Sequence, residues 1–271
     1  MVIVSPTKEL SYYMDGKLER SLTKIKKRVW KKDMDSVFII DGGEGAGKSV
    51  FGQQVAKFLN PNFDLKHICF NASEFMKAIN DSNKGDVILF DEAYSGLASR
   101  TALSEVNHLL VSMMMEMRQK NLIVIIILPS FFLLDKYVAL WRAVALFHVY
   151  MTKGVRGRWI SFNRKKKKLL YLKGKKEYNY NVVRSRFRGR FTNKYTVDES
   201  AYRAKKTVAL KNRERRTKSE KYIEQRNNIL YGIYKDFKLS LDKLVVFSKL
   251  YKVSLSKAQI GRIIADLRGT S

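Results

Sequence analysis

The stretch Ser36-Val37-Phe38-Ile39-Ile40-Asp41-Gly42-Gly43-Glu44-Gly45-Ala46-Gly47-Lys48-Ser49 decides how this chain is read. Its first six residues, Ser36 to Asp41, form a short β-rich run that predicts a buried strand. The next eight satisfy the spacing G-x-x-x-x-G-K-[ST]. Ser49 to Leu59 then reads as a helix stopped by Asn60-Pro61. In a strand, glycine loop and helix met in this order, glycines let successive backbone N–H groups turn toward phosphate oxygens. The helix directs its positive end at the same charge.

Gly42, Gly43, Glu44, Gly45, Ala46, Gly47, Lys48, Ser49 and Val50 are therefore the candidate nucleotide contacts. Lys48 is placed to reach the β and γ phosphates of ATP, and Ser49 to offer its hydroxyl to Mg²⁺. Downstream, Val87-Ile88-Leu89-Phe90-Asp91-Glu92 is an apolar strand ending in two carboxylates. Asp91 at that strand end is the second candidate for the Mg²⁺ shell, and Glu92 the candidate that polarises the attacking water. The expected fold is α/β, a P-loop NTPase with a mostly parallel sheet covered by helices on both faces and a basic, mostly helical C-terminal region.

Further strands are expected at 67–70, 86–90, 122–128 and 143–151, with helices between them. Asn71 followed by Glu74 has the spacing of a capping box opening a helix. Residues 158–162 and 169–172 flank Arg164-Lys165-Lys166-Lys167-Lys168 and read as an antiparallel pair with a basic connection. The organisation predicted is an N-terminal helical lead over 1–35, the ATPase domain over 36–172, a basic linker and helical region over 173–239, and a possible helix-turn-helix over 240–271. In the last, Ser254 is the expected cap, and Lys257, Gln259 and Arg262 would face DNA.

The net charge of +28 is unevenly spread. Residues 1–150 hold 19 Lys/Arg and 16 Asp/Glu, a balance of +3, which leaves 34 and 9 of the chain's 53 and 25, or +25, for residues 151–271. Such an excess attracts a polyanion by counterion release, and DNA is the partner expected. The longest apolar run, Leu122 to Leu134, is interrupted by Pro129 and is shorter than the roughly 20 residues that span a bilayer, so no stable membrane insertion is expected. A single cysteine, Cys69, forms no intrachain disulfide, and a cytoplasmic setting is expected, host cytoplasm if the chain is viral.

The order Gly42–Ser49, Asp91-Glu92-Ala93, Arg100, Met117-Arg118-Gln119, the strand 122–128 with Pro129, and Leu134-Asp135 before Arg142 resembles the FtsK/HerA superfamily. Within it the likeness is to zonula-occludens-toxin-type ATPases of filamentous phages and to viral DNA-packaging ATPases, over about residues 36–150. The resemblance implies a homo-oligomeric ring that hydrolyses ATP and translocates DNA for genome packaging or DNA transfer. It also implies that Arg118 acts as an arginine finger in a neighbour's site, with Arg100 as second choice. Such proteins usually end the fourth strand with a polar Gln or Asn. Here Ile127 and Leu128 are followed by Pro129 and Ser130, so the polar sensor of the γ-phosphate that the resemblance implies is either missing or replaced by Ser130. The alternatives are a helicase or helicase loader acting on single-stranded DNA, and a nucleotide-gated DNA-binding regulatory or partition protein.

Overall fold

The computed structural model describes residues 2–91, 100–251 and 253–268. In chain order its elements are β1 (Val2–Thr7), β2 (Leu10–Met14), α1 (Gly16–Lys31), β3 (Ser36–Gly42), α2 (Lys48–Leu59), β4 (Ile68–Cys69), α3 (Ala72–Asp81), β5 (Val87–Phe90), α4 (Arg100–Gln119), β6 (Ile123–Ile127), β7 (Ala143–Thr152), β8 (Val155–Asn163), α5 (Arg164–Gly174), β9 (Phe187–Arg190), α6 (Glu199–Phe237), α7 (Leu241–Leu250) and α8 (Lys257–Arg268). They form two compact units, 1–207 and 208–271, with the boundary inside α6.

The first unit is a mixed α/β body on a seven-stranded sheet of order β4-β5-β6-β3-β7-β8-β9. The five strands from β4 to β7 run parallel, and β8 and β9 continue the sheet antiparallel. Every residue of β3, β5 and β6 is buried, as continuous apolar strands covered on both faces require. Gly52 of α2 lies against Ile40, Leu89 and Ile127 on one face. The opposite face carries Val37, Ile39, Ile88, Phe90, Val124 and Ile126, which pack with Phe75 and Ile79 of α3, Leu110 and Met117 of α4, and Leu170 and Tyr171 of α5. Helices therefore cover both faces, as the sequence pattern led us to expect.

In the first unit the structure differs from the sequence expectation at three places. The lead over 1–35 is helical only from Gly16; before it, β1 and β2 form an antiparallel hairpin. Residues 164–174, expected to bring a return strand, are helix α5, and the partner of β8 is β7. Asn163 starts α5 by accepting the Lys166 N–H at 3.0 Å, and its buried positions 167, 170, 171 and 174 follow a helical period. Finally, residues 173–207 are part of the first unit rather than a linker. Gln54 of α2 donates to the carbonyls of Thr192 (2.7 Å) and Lys194 (2.8 Å), and Thr196 donates to the Gln53 carbonyl at 3.1 Å.

In the second unit, the rest of α6 with α7 and α8 buries Leu230, Leu244, Leu255, Ile260 and Ile264. Two helices follow Ser240 as expected, but the cap of α8 is Ser256 and not Ser254. Ser256 Oγ accepts the Gln259 N–H at 3.2 Å, and Gln259 Oε1 accepts the Ser256 N–H at 2.8 Å. Gln259 is thus engaged in the cap, and Lys257 pairs with Asp242 at 2.8 Å. Arg262 remains exposed.

Candidate nucleotide site

The glycine loop leaves β3 at the centre of the sheet, where the connections turn in opposite directions. From β3 the chain crosses to β4 on one side, works back through β5 to β6, and passes over to β7 on the other. Such a reversal opens a crevice beyond the carboxyl ends of the strands, where open α/β sheets bind ligands. Asp91, immediately after β5, reaches the same edge with β6 between it and the glycine-loop strand.

Gly42 closes β3 at φ 141°, and a Cβ built on it would lie 1.9 Å from the Val149 carbonyl oxygen of β7. No side chain fits that approach. Gly45 and Gly47 adopt φ of 69° and 95°, conformations that favour glycine. Gly43, Glu44 and Gly45 form an exposed crest, and added bulk at Gly43 would meet nothing within 4 Å. Ala46 and Val50 are buried beneath it, and Ser49 is half-buried in the first turn of α2.

Lys48 folds back over the loop and donates to the carbonyls of Gly42 at 2.7 Å and Gly43 at 2.8 Å. Burial holds its ammonium below the usual lysine range; the charges of Asp41 and Asp91 oppose that shift, and Lys206 adds to it. The four groups therefore share one electrostatic neighbourhood. Asp91 is fully buried, its N–H donates to the Cys69 carbonyl at 2.9 Å, and its Oδ2 accepts the Tyr202 hydroxyl at 2.6 Å. Tyr202 lies in the first turns of α6, with its ring against Phe70 and Tyr195.

Two further groups arrive from the antiparallel extension. The β7–β8 hairpin turns through Lys153 and Gly154, both at positive φ as tight hairpins demand, and beyond it Arg156 Nη2 comes within 3.6 Å of the Cβ position on Gly45. Phe191, just after β9, covers Gly47, its ring 3.1 Å from that Cβ position. Beneath the loop, buried Asp41 accepts the Phe131 N–H at 2.8 Å and the Tyr180 hydroxyl, and its other oxygen lies 3.0 Å from His148 Nδ1. Ser130, the sensor candidate, sits in this cluster with its Oγ 3.3 Å from the Tyr180 hydroxyl.

Comparison of the sequence with protein-family models and with characterised proteins finds no match.

The structure brings together Gly42 to Val50, Lys48 and Asp91. Glu92 lies outside the described residues, as does the Arg100 side chain. Arg118 is elsewhere: it ends α4 just before β6, at the edge where the parallel strands begin. There Asp33 is held below the usual carboxylate range, chiefly by its hydrogen bond and charge contact with Lys84, with a smaller pull from Arg118. Arg118 and the glycine loop thus occupy opposite edges of the sheet within one chain.

Asp41, His148, Arg156, Tyr180, Phe191 and Tyr202 were not singled out by sequence motif. Five of them come from residues 148–202, beyond any local spacing pattern around the loop. Asp41 alone has a local signal, a carboxylate ending an apolar strand directly before the glycines.

Proposed function

We propose that the chain binds ATP with Mg²⁺ at Gly42–Val50 and hydrolyses it as a P-loop NTPase. The observation that carries this reading is the placement of the G-x-x-x-x-G-K-[ST] loop at the carboxyl end of the central strand, with Lys48 folded onto it and buried Asp91 at the same edge. The exposed crest and the open space at Gly43 fit a polyphosphate, and the Ser49 hydroxyl and Asp91 carboxylate fit the hard oxygen donors that Mg²⁺ takes. Lys48 exchanges the Gly42 and Gly43 carbonyls for the β and γ phosphates. Bound Mg²⁺ would neutralise charge developing on the transferred phosphoryl group. Glu92, next to Asp91 in sequence, orients and deprotonates the attacking water. Arg156 adds a cation from the same chain at the outer side of the loop.

The work driven by hydrolysis is proposed to be movement of DNA by a cytoplasmic ring of subunits, in genome packaging or DNA transfer. Support comes from charge: residues 151–207 hold 19 Lys/Arg and 3 Asp/Glu, so +16 of the +25 beyond residue 150 falls within the unit that carries the glycine loop. Among the described residues no helix is long and apolar enough to cross a membrane. In the ring, Arg118 would serve a neighbour's site, since it cannot serve its own across the sheet. The test is ATP turnover measured alone, with single-stranded DNA and with duplex DNA. Stimulation by duplex is expected, and turnover indifferent to both would remove the motor assignment.

A further inference from the structure

Beyond α5, the face of the sheet that carries Asp41 continues across the antiparallel strands. Register places His148, Ile160 and Arg188 in one row across β7, β8 and β9, and Tyr150, Arg158 and Arg190 in the next. The first row and Tyr150 floor a cleft of about 1210 Å³ whose wall is the segment 177–187, with Tyr178, Arg184 and Arg186, and whose lining includes Lys17 of α1. A second hollow of about 830 Å³ continues it past Tyr150 and Arg188 to Arg158 and Arg190. The acidic residues on these linings are Glu177 and Asp15, against five arginines and one lysine. Arg184, Arg186, Arg188 and Arg190 all project to solvent, and Tyr178 is 57% exposed.

We infer that this cleft binds the phosphodiester backbone of a nucleic acid, and that its floor is linked to the glycine loop through Asp41. Arginines along a concave surface match a chain of phosphates, and the exposed Tyr178 among them offers a face on which a base stacks. The link is short. Tyr180 and His148 both line the cleft, stack on each other at 4.0 Å, and hold the two oxygens of Asp41, the residue before Gly42. A strand that shifts Tyr180 alters the root of the loop, and phosphates that reposition Lys48 act on the floor of the cleft, as reciprocal coupling requires. The cleft assignment stands on its own; the link rests on the nucleotide reading.

The test is fluorescence anisotropy of the full chain with a labelled oligodeoxythymidylate and with its duplex on oligodeoxyadenylate. We expect Arg184→Ala/Arg186→Ala/Arg188→Ala to weaken binding at least tenfold and to flatten the salt dependence by roughly two log units per log unit of salt. The charge-matched Lys31→Ala/Lys32→Ala/Lys77→Ala protein should change it by less than about threefold. Equal effects in the two variants would overturn the cleft. Hydrogen exchange on the unmutated chain checks the same point without relying on a variant that folds: added oligonucleotide should protect 177–188, and protection confined to other segments would overturn it. Loss through Tyr178→Ala of single-strand affinity alone identifies stacked bases, whereas equal loss on duplex places Tyr178 at the backbone. For the link, an ATP analogue with Mg²⁺ should shift oligonucleotide affinity several-fold in the unmutated protein but not in Tyr180→Phe. The same shift in Tyr180→Phe would overturn the link. Absence of any analogue binding would overturn the nucleotide reading and the link together, with the cleft decided by the nucleotide-free titration.

Discussion

Replacing Tyr202 by Phe removes one hydroxyl and leaves a ring of nearly the same shape against Phe70 and Tyr195. That hydroxyl donates to Asp91 at 2.6 Å, and both residues are buried, with exposures of 3% and 0%. A hydrogen bond to a charged partner contributes about 1.5–3 kcal/mol, and losing it leaves a buried carboxylate less well satisfied. For a unit of this size each kcal/mol moves Tm by roughly 2–4 °C, so a fall of about 3–12 °C is expected in differential scanning fluorimetry without nucleotide. Mg²⁺ bound at Asp91 would compensate part of that loss. The rise in Tm on adding Mg²⁺ and ATP should accordingly be larger in Tyr202→Phe than in the unmutated chain, by linkage of ligand binding to folding. An unchanged Tm without nucleotide would refute the energetic argument, and an equal ligand-induced rise would refute the competition for Asp91.

Other consequences can be checked independently. Lys167 is fully buried, donates to the Ala139 carbonyl, and is pushed by burial from 10.5 down to about 8, with the Arg164 charge adding to the shift. The unfolded chain therefore holds this proton more tightly, the charged form costs the fold stability below pH 8, and that cost fades as pH rises from 8 to 10.5. Urea midpoints should show the unmutated chain gaining about 3 kcal/mol on Lys167→Met across that window; a constant difference would contradict the burial argument. Gly42→Ala, with its Cβ 1.9 Å from a backbone oxygen, should destabilise by about 3 kcal/mol or more, whereas Gly43→Ala, in open space, should cost less than about 1 kcal/mol. Denaturant unfolding of the pair decides this, and equal costs would show that β3 and β7 do not approach so closely. Arg156→Ala should weaken ATP binding about tenfold in calorimetry and leave Tm unchanged, because the side chain is exposed; undiminished affinity would remove it from the site.

The parallel core was legible because strands buried on both faces read as unbroken apolar runs, and β3, β5 and β6 fall within a residue or so of their expected bounds. The glycine loop was legible because its spacing is local. What lay hidden was long-range. Five consecutive cationic residues masked the helical period of α5, in which Lys167 occupies a core position that charge alone would assign to solvent. The N-terminal hairpin pairs strands that are weakly apolar, with only Val4, Tyr12 and Met14 buried. Tyr202 lies 111 positions from Asp91, and Tyr180 lies 139 from Asp41; no spacing rule connects such pairs before the sheet is assembled. Arg118 shows the converse, since a resemblance assigns a role but not which edge of the sheet the residue occupies.

The most direct test of the central claim is calorimetric titration of ATP with Mg²⁺ into the unmutated chain, Lys48→Ala and Glu92→Gln, with phosphate release followed on the same samples. Charge recognition by Lys48 and water activation by Glu92 are separate functions. Lys48→Ala should lose binding by about a hundredfold or more, whereas Glu92→Gln should bind as the unmutated chain does and release no phosphate. ATP bound equally by the unmutated chain and Lys48→Ala, or phosphate released by Glu92→Gln at the unmutated rate, would contradict the central claim.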